Sequence, residues 1–216
     1  MKHQYEMDMC TGPLGKKILT FSIPLMFTNI LQVLFNMSDI AVVGKFSGPI
    51  ALGAVGSTSI LVSMFTGSLI GLASGVNALT ARYIGSKNAR GVRGTVHTAF
   101  LVCLAAGLLF SLFGIAFARQ ILELLNTKDE LIEGAVLYLR IYMLGAPALA
   151  LFNFGSSVLS AAGDTRRPLR YLLIAGVLNV ILNLFFVIVC HLDVAGVALA
   201  SILSQYLSAV LVLSLL

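Results

Sequence analysis

Charged side chains are scarce in this sequence. Of its 216 residues, 11% are charged and 58% are hydrophobic, and the mean hydropathy is +0.98. Soluble domains carry about 25% charged residues, which they need to cover a surface that faces water. The composition therefore excludes an ordinary soluble domain and is typical of an integral membrane protein.

Motifs for catalysis are also missing. The sequence contains no G-x-x-x-x-G-K-[ST] loop, so it encodes no phosphate loop for ATP hydrolysis. Asp39 is the only acidic residue between Asp8 and Glu123, whereas an intramembrane aspartyl protease needs two aspartates within the membrane. The cysteines and histidines show no metal-ligand spacing. We therefore expect no enzyme, no cofactor and no resident metal.

Long apolar runs fill almost the whole chain. A bilayer core of about 30 Å needs roughly 20 apolar residues per helix. Runs of this length predict six membrane spans, at residues 18–44, 51–81, 94–118, 132–161, 169–190 and 194–216. We expect an all-α integral membrane fold with a polar segment (1–17) followed by a six-helix transmembrane lobe (18–216). No polar residues follow the last span, so we expect this lobe to be the N-terminal part of a longer membrane protein.

Basic residues are concentrated on one side of the predicted spans. Ten of the fourteen Lys and Arg residues lie before the first span, between the second and third, or between the fourth span and the first two residues of the fifth. By the positive-inside rule this side is cytoplasmic, which predicts a cytoplasmic N-terminus in a multi-pass protein of the cell membrane. Because the charges are spread over short loops, no nucleic-acid partner is expected.

The first span carries a polar stripe. At ~100° per residue, Asn29, Gln32, Asn36 and Asp39 fall within an arc of about 80°. Polar residues on an otherwise apolar span face the protein interior or a water-filled cavity. Alternatively, Asp39 is solvated near the membrane surface or caps a loop, since it lies about 31 Å along a helix that begins at Ile18.

Two further spans have polar faces. The positions that share a face are Tyr138, Tyr142, Asn153 and Ser156 in the fourth span, and Asn179 and Asn183 in the fifth. Hydrogen bonding between helices would by itself explain the two asparagines. Three polar faces on different helices nevertheless indicate a shared cavity. Arg140 falls away from the fourth-span face, where it can extend to the membrane surface or meet Glu133.

The second span carries small residues at every fourth position. They are Ser59, Ser63, Gly67, Gly71 and Gly75. This spacing lets helix backbones approach closely in lipid, so tight packing is expected, with a contact that moves as the alternative. Pro24 in the first span and Pro147 in the fourth each remove a helical hydrogen bond, which predicts kinks.

Five segments carry a family resemblance. They are "IPLMFTNILQVLFNMSDIAVVGKFSGPIALGAVG", "ARYIGSKNARGVRGTV", "YLRIYMLGAPALALFN", "AAGDTRRPLR" and "LDVAGVALASILSQ". In this order, within six spans and over nearly the whole chain from Leu14 onward, they resemble the N-terminal half of the multidrug and toxic compound extrusion (MATE) family. The resemblance implies one lobe of a twelve-helix, two-lobe secondary transporter, whose other half is a C-terminal lobe or a second copy.

The resemblance also implies roles for individual residues. The positions that match the family's cation-coupling and cavity residues are Asp39, Tyr138, Asn153, Asn179, Asn183 and Ser201. Some members have an aspartate where Asn183 stands, so coupling schemes that need two acids in this lobe do not carry over.

The expected function is export of organic cations or drugs in exchange for H⁺ or Na⁺. Binding of the proton, or of a transient Na⁺, at Asp39 would lower the affinity for the exported compound, and the helix with Pro24 would move. The first alternative is a flippase for lipid-linked sugars, a function found in the same wider superfamily, although such cavities tend to carry several basic residues. The second alternative is a membrane scaffold without transport.

Overall fold

The computed structural model describes residues 14–216, and this part of the chain is helical without a strand. The helices are α1 (Leu14–Phe46), α2 (Gly48–Gly85), α3 (Ala89–Leu124), α4 (Asp129–Met143), α5 (Ala146–Ala161), α6 (Arg166–Leu184) with a π-helical turn (Phe185–Val189), and α7 (Asp193–Leu213). The predicted all-α fold is confirmed. Residues 1–13 of the expected polar segment lie outside the described residues, and residues 14–17 belong to α1.

The described helices provide six candidate membrane spans when the bent pair α4 and α5 is taken as one. α1, α2, α3, α6 with its π turn, and α7 are each long and apolar enough to cross a membrane, and α4 with α5 passes the same test as a pair bent by 46°. Both helices of the pair pack against α3 and run antiparallel to it. A methyl group on Gly114 would meet Met143 of α4, and one on Gly107, two turns earlier in α3, would meet Pro147 of α5. The pair therefore crosses as one bent span of a multi-pass membrane protein.

The bend between α4 and α5 lies at Leu144 and Gly145. Pro147 stands in the first turn of α5, where a missing backbone N–H leaves no gap in the helix. In an unbroken helix it would deprive the carbonyl of Met143 of its donor. The kink predicted at Pro147 is thus confirmed, whereas α1 runs through Pro24 as one continuous helix.

Gly107 allows the closest approach of α3 to α5. A methyl group at this position would lie 2.7 Å from Cα of Pro147, a backbone atom that cannot move aside. We expect Gly107→Ala to lower the free energy of unfolding by about 1–2 kcal/mol, because overpacking outweighs the better helix propensity of alanine. Gly71→Ala is the matched control: nothing lies within 4 Å of its added methyl group, so stability should be kept or raised. Chemical unfolding in detergent measures both, and equal effects would contradict the packing assigned to Gly107.

The small residues of α2 do not pack tightly within this chain. Ser63, Gly67, Gly71 and Gly75 are exposed, and added methyl groups on the three glycines would meet nothing within 4 Å. The expected close helix contact is therefore wrong for the described residues. Ser59, Ser63 and Gly67 instead line an open cavity, because this face of α2 turns away from α3 and α5.

Ion pairs lie near the ends of the helices. Nη2 of Arg119 is 2.5 Å from Oε1 of Glu133, so Glu133 pairs with Arg119 and the alternative that it pairs with Arg140 is not the one found. Arg140 is exposed, on the side opposite the polar face as expected. At the other end of the lobe, the buried carboxylate of Asp164 accepts from the backbone N–H and from Nε of Arg167 at the start of α6.

Candidate functional site

Asp39 is the centre of a buried polar network. It lies in the last third of α1 and is 2% exposed. Ser201 of α7 donates its hydroxyl to Oδ2 at 2.6 Å, and Nδ2 of Asn183 of α6 donates to Oδ1 at 2.8 Å. The alternative of a solvated or loop-capping aspartate is therefore wrong. One carboxylate joins three helices.

The two asparagines of α6 complete the network. Nδ2 of Asn179 donates to the Ser201 hydroxyl oxygen at 3.2 Å, and Nδ2 of Asn183 also reaches Oδ1 of Asn179 at 3.2 Å. Donated hydrogen bonds thus converge on Asp39, which is how neutral groups compensate a carboxylate that has left water. Oδ1 of Asn183 is buried without a partner among the described residues. An acceptor left free beside a carboxylate is suited to receive a proton donor or a hard cation.

Two tyrosines of α4 lie against this network. Tyr138 is 1% exposed and lies near Asp39. The ring of Tyr142, one turn further on, stacks on it with centroids 5.7 Å apart and planes 21° apart. Of the first half of the predicted face, Tyr142 therefore lines the cavity beside Asp39, whereas Tyr138 is buried behind it.

The second half of that face is placed differently. Asn153 and Ser156 are buried, but neither is among the residues that line the cavity, and Nδ2 of Asn153 donates to the carbonyl of Leu149 in its own helix. The helical angles were counted through Leu144 and Gly145, where the helix is broken by 46°. Beyond this bend, the angles counted from Tyr138 no longer identify which residues line the cavity.

A cavity of about 590 Å³ opens beside Asp39. The whole predicted stripe of α1 lines it, as do positions from the two other predicted faces: Asn29, Gln32, Asn36, Asp39, Tyr142 and Asn179. Pockets of this size hold drug-sized molecules. Asp39 is the only charged side chain among the described residues that line it, so the cavity carries a single negative charge when Asp39 is ionised.

Sequence reasoning missed one wall of the cavity. Ser204, Gln205 and Ser208 of α7 line it next to Ser201, and Thr66 of α2 does so as well. The available signal was the spacing 201, 204, 208, which puts three hydroxyls on one helical face. It was overlooked because isolated serines are common in membrane helices.

Phe35 sets the distance between α1 and α6. Its ring fills the space above Gly176, and a methyl group there would overlap it. We expect Gly176→Ala to destabilise the lobe by about 1–3 kcal/mol and to displace α1 four residues before Asp39. Phe35→Leu in the same chain should restore at least half of the loss, because the smaller side chain leaves room for the methyl group.

The control for this pair is Gly75→Ala, whose methyl group would meet nothing within 4 Å. Chemical unfolding in detergent of Gly176→Ala, Phe35→Leu, the double variant and Gly75→Ala measures the change in the free energy of unfolding. If Phe35→Leu added its own loss to that of Gly176→Ala, the contact between ring and glycine would not be what positions α1.

The fold and the site together define a helical membrane protein with a buried carboxylate at one end of a polar cavity. Residues 24–185 match the family described as MatE, and the chain belongs to this family.

Similar proteins point the same way. The chain is 32% identical to the probable multidrug resistance protein YpnP of Bacillus subtilis, over 92% of this chain and 44% of that protein. It is 30% identical to DNA damage-inducible protein F of Escherichia coli, over 88% of this chain and 42% of that protein. A crystal structure of a MATE protein in the bent conformation aligns with a TM-score of 0.88 and 27% identity, covering 93% of this chain and 45% of that one. The chain thus spans less than half the length of the relatives it matches.

Proposed function

We propose that this chain is the N-terminal lobe of an antiporter that exports organic cations or drugs across the cell membrane in exchange for H⁺ or Na⁺. The observation that carries the proposal is the position of Asp39, whose carboxylate is buried between three helices and also lines the cavity. A coupling ion and a cationic compound would both be drawn to this one charge. Binding of either therefore disfavours binding of the other.

The coupling step follows from the hydrogen bonds of Asp39. A proton on the carboxylate turns one acceptor oxygen into a donor, so the hydroxyl of Ser201 or the amide of Asn183 has to reorient. Na⁺ would instead be held by the oxygens of Asp39, Ser201 and the two asparagines. In either case the contacts that attach α1 to α6 and α7 change, and α1 moves relative to them.

Two features of the proposal concern the rest of the transporter. Ten basic residues on one side of the spans favour a cytoplasmic N-terminus. The exposed small residues of α2, from Ser63 to Gly75, offer a smooth face at which a C-terminal lobe or a second copy would complete the transport path.

The test is efflux of a fluorescent organic cation from vesicles that contain the complete transporter, with Na⁺ and pH gradients imposed separately. Efflux driven by one of the two gradients supports antiport and identifies the ion. A lipid flippase would give no such efflux and would move a lipid-linked sugar instead, although no basic residue lines the described cavity. A scaffold would do neither.

A further inference from the structure

One wall of the cavity is a row of serines on α7. Ser201, Ser204 and Ser208 are buried and line the cavity, and the row extends about 10 Å from the contact with Asp39 at ~1.5 Å per residue. Each of the three hydroxyl protons is already donated in a hydrogen bond within the protein. Ser201 donates to Asp39 at 2.6 Å, and the other two donate to backbone carbonyls of α7 at 2.8 Å each.

The row therefore presents acceptors to the cavity. A hydroxyl oxygen has one proton and two lone pairs, and with the proton engaged only lone pairs are left for a ligand. Ionised Asp39 continues the row as a further acceptor. Gln205, between the serines, also lines the cavity, with its Oε1 against Gly145 at the break of the fourth span. Its amide nitrogen can donate, as can those of Gln32 and Asn36 on the α1 wall.

We propose that this cavity selects organic cations that carry N–H groups, such as protonated amines, amidines and guanidines, over cations of equal charge that carry none, such as quaternary ammonium ions. The inference rests on the function proposed above and narrows its substrate class. An N–H cation satisfies the carboxylate and the serine oxygens together with charge-assisted hydrogen bonds. A quaternary ion takes their water away and returns no donor.

Two other forces do not produce this preference. The aromatic lining residues Phe35, Tyr142 and Phe152 attract both kinds of cation through their ring faces. Desolvation acts the other way, because an ammonium with N–H groups holds its water more strongly than a quaternary ion does. A preference for the N–H cation has to come from acceptors within the site.

A matched pair of probes tests the proposal. Dansylcadaverine carries a primary ammonium, and its N,N,N-trimethyl derivative has the same charge and fluorophore without an N–H group on the cation. Fluorescence titration of the complete transporter in lipid nanodiscs measures the dissociation constants of both probes. We expect the primary amine to bind roughly tenfold more tightly, the ratio that one hydrogen bond to a charged group provides.

Variants assign the preference to the serine row. Ser204→Ala combined with Ser208→Ala should weaken binding of the amine and leave the trimethyl probe unchanged, so that the ratio falls towards one. Ser214→Ala is the matched control, since Ser214 donates to a carbonyl of the same helix at 2.7 Å but is exposed and outside the cavity lining. It should keep the tenfold ratio.

Three results would overturn the inference. Equal or tighter binding of the trimethyl probe rejects it, and if that binding is lost in Asp39→Asn, the proposed cation transport still stands. If the ratio of the two dissociation constants is the same in the double serine variant as in the wild type, the preference does not come from the serines of α7. Absence of binding by both probes rejects this inference and the proposed function together.

Discussion

Asp39→Asn is expected to abolish ion-driven export while the lobe stays folded. The amide keeps the shape of the carboxylate: its oxygen can still accept from Asn183, and its nitrogen can donate to the oxygen of Ser201. What disappears is the negative charge that attracts the coupling ion. In one-for-one exchange of a monovalent cation no net charge crosses the membrane, so a tenfold gradient of the coupling ion, about 1.4 kcal/mol, can sustain a concentration ratio of about ten for the exported compound. In the variant this ratio should fall to that of passive leak.

The control for this prediction is Asp193→Asn. Asp193 is exposed at the start of α7 and has a φ of 45°, a conformation that asparagine tolerates well. This variant also removes one aspartate charge, so it should export at the wild-type rate in vesicles under the same gradients. Ion-driven efflux that survives in Asp39→Asn would show that the coupling ion binds elsewhere.

The polar stripe of α1 could be predicted because the helix is continuous. Thirty-three residues from Leu14 to Phe46 keep one register, so counting ~100° per residue stays accurate from Asn29 to Asp39. The α6 side of the network, Asn183 with Asn179 behind it, was found in the same way, as two asparagines one turn apart. Ser201 was reached only through the family resemblance, since a single hydroxyl on an apolar helix carries little signal.

The incorrect predictions concern features that the helical periodicity of the sequence does not encode. Asn153 and Ser156 were assigned to the cavity by helical angles that take no account of the 46° bend between α4 and α5. Gly67 and its neighbours on α2 have the spacing of a packed helix face, yet the spacing does not say whether the packing partner belongs to the same lobe. The pairing of Glu133 with Arg119 is a tertiary contact between α3 and α4, which the spacing along one helix does not predict.

Asn183→Leu is expected to destabilise the lobe strongly. Leucine keeps the branching at Cγ but is larger and cannot donate, so Oδ1 of Asp39 loses the hydrogen bond that the buried Asn183 now makes at 2.8 Å. A hydrogen bond to a charged group contributes about 1.5–3 kcal/mol. Unfolding of the wild type, Asn183→Leu, Asp39→Leu and the double variant forms a cycle that isolates this pair. We expect a coupling energy of at least about 1.5 kcal/mol.

Asn153→Leu provides the matched cycle with Asp39→Leu. Asn153 is buried too, but it donates only to a carbonyl of its own helix at 2.9 Å, so the two losses should simply add. The size of the Asn183 coupling then reports the charge of Asp39. Hydrogen bonds between neutral groups of membrane helices average about 0.6 kcal/mol. A value that low would mean that Asp39 is neutral at rest, so the transport cycle would begin with release of a bound proton and not with capture of an ion.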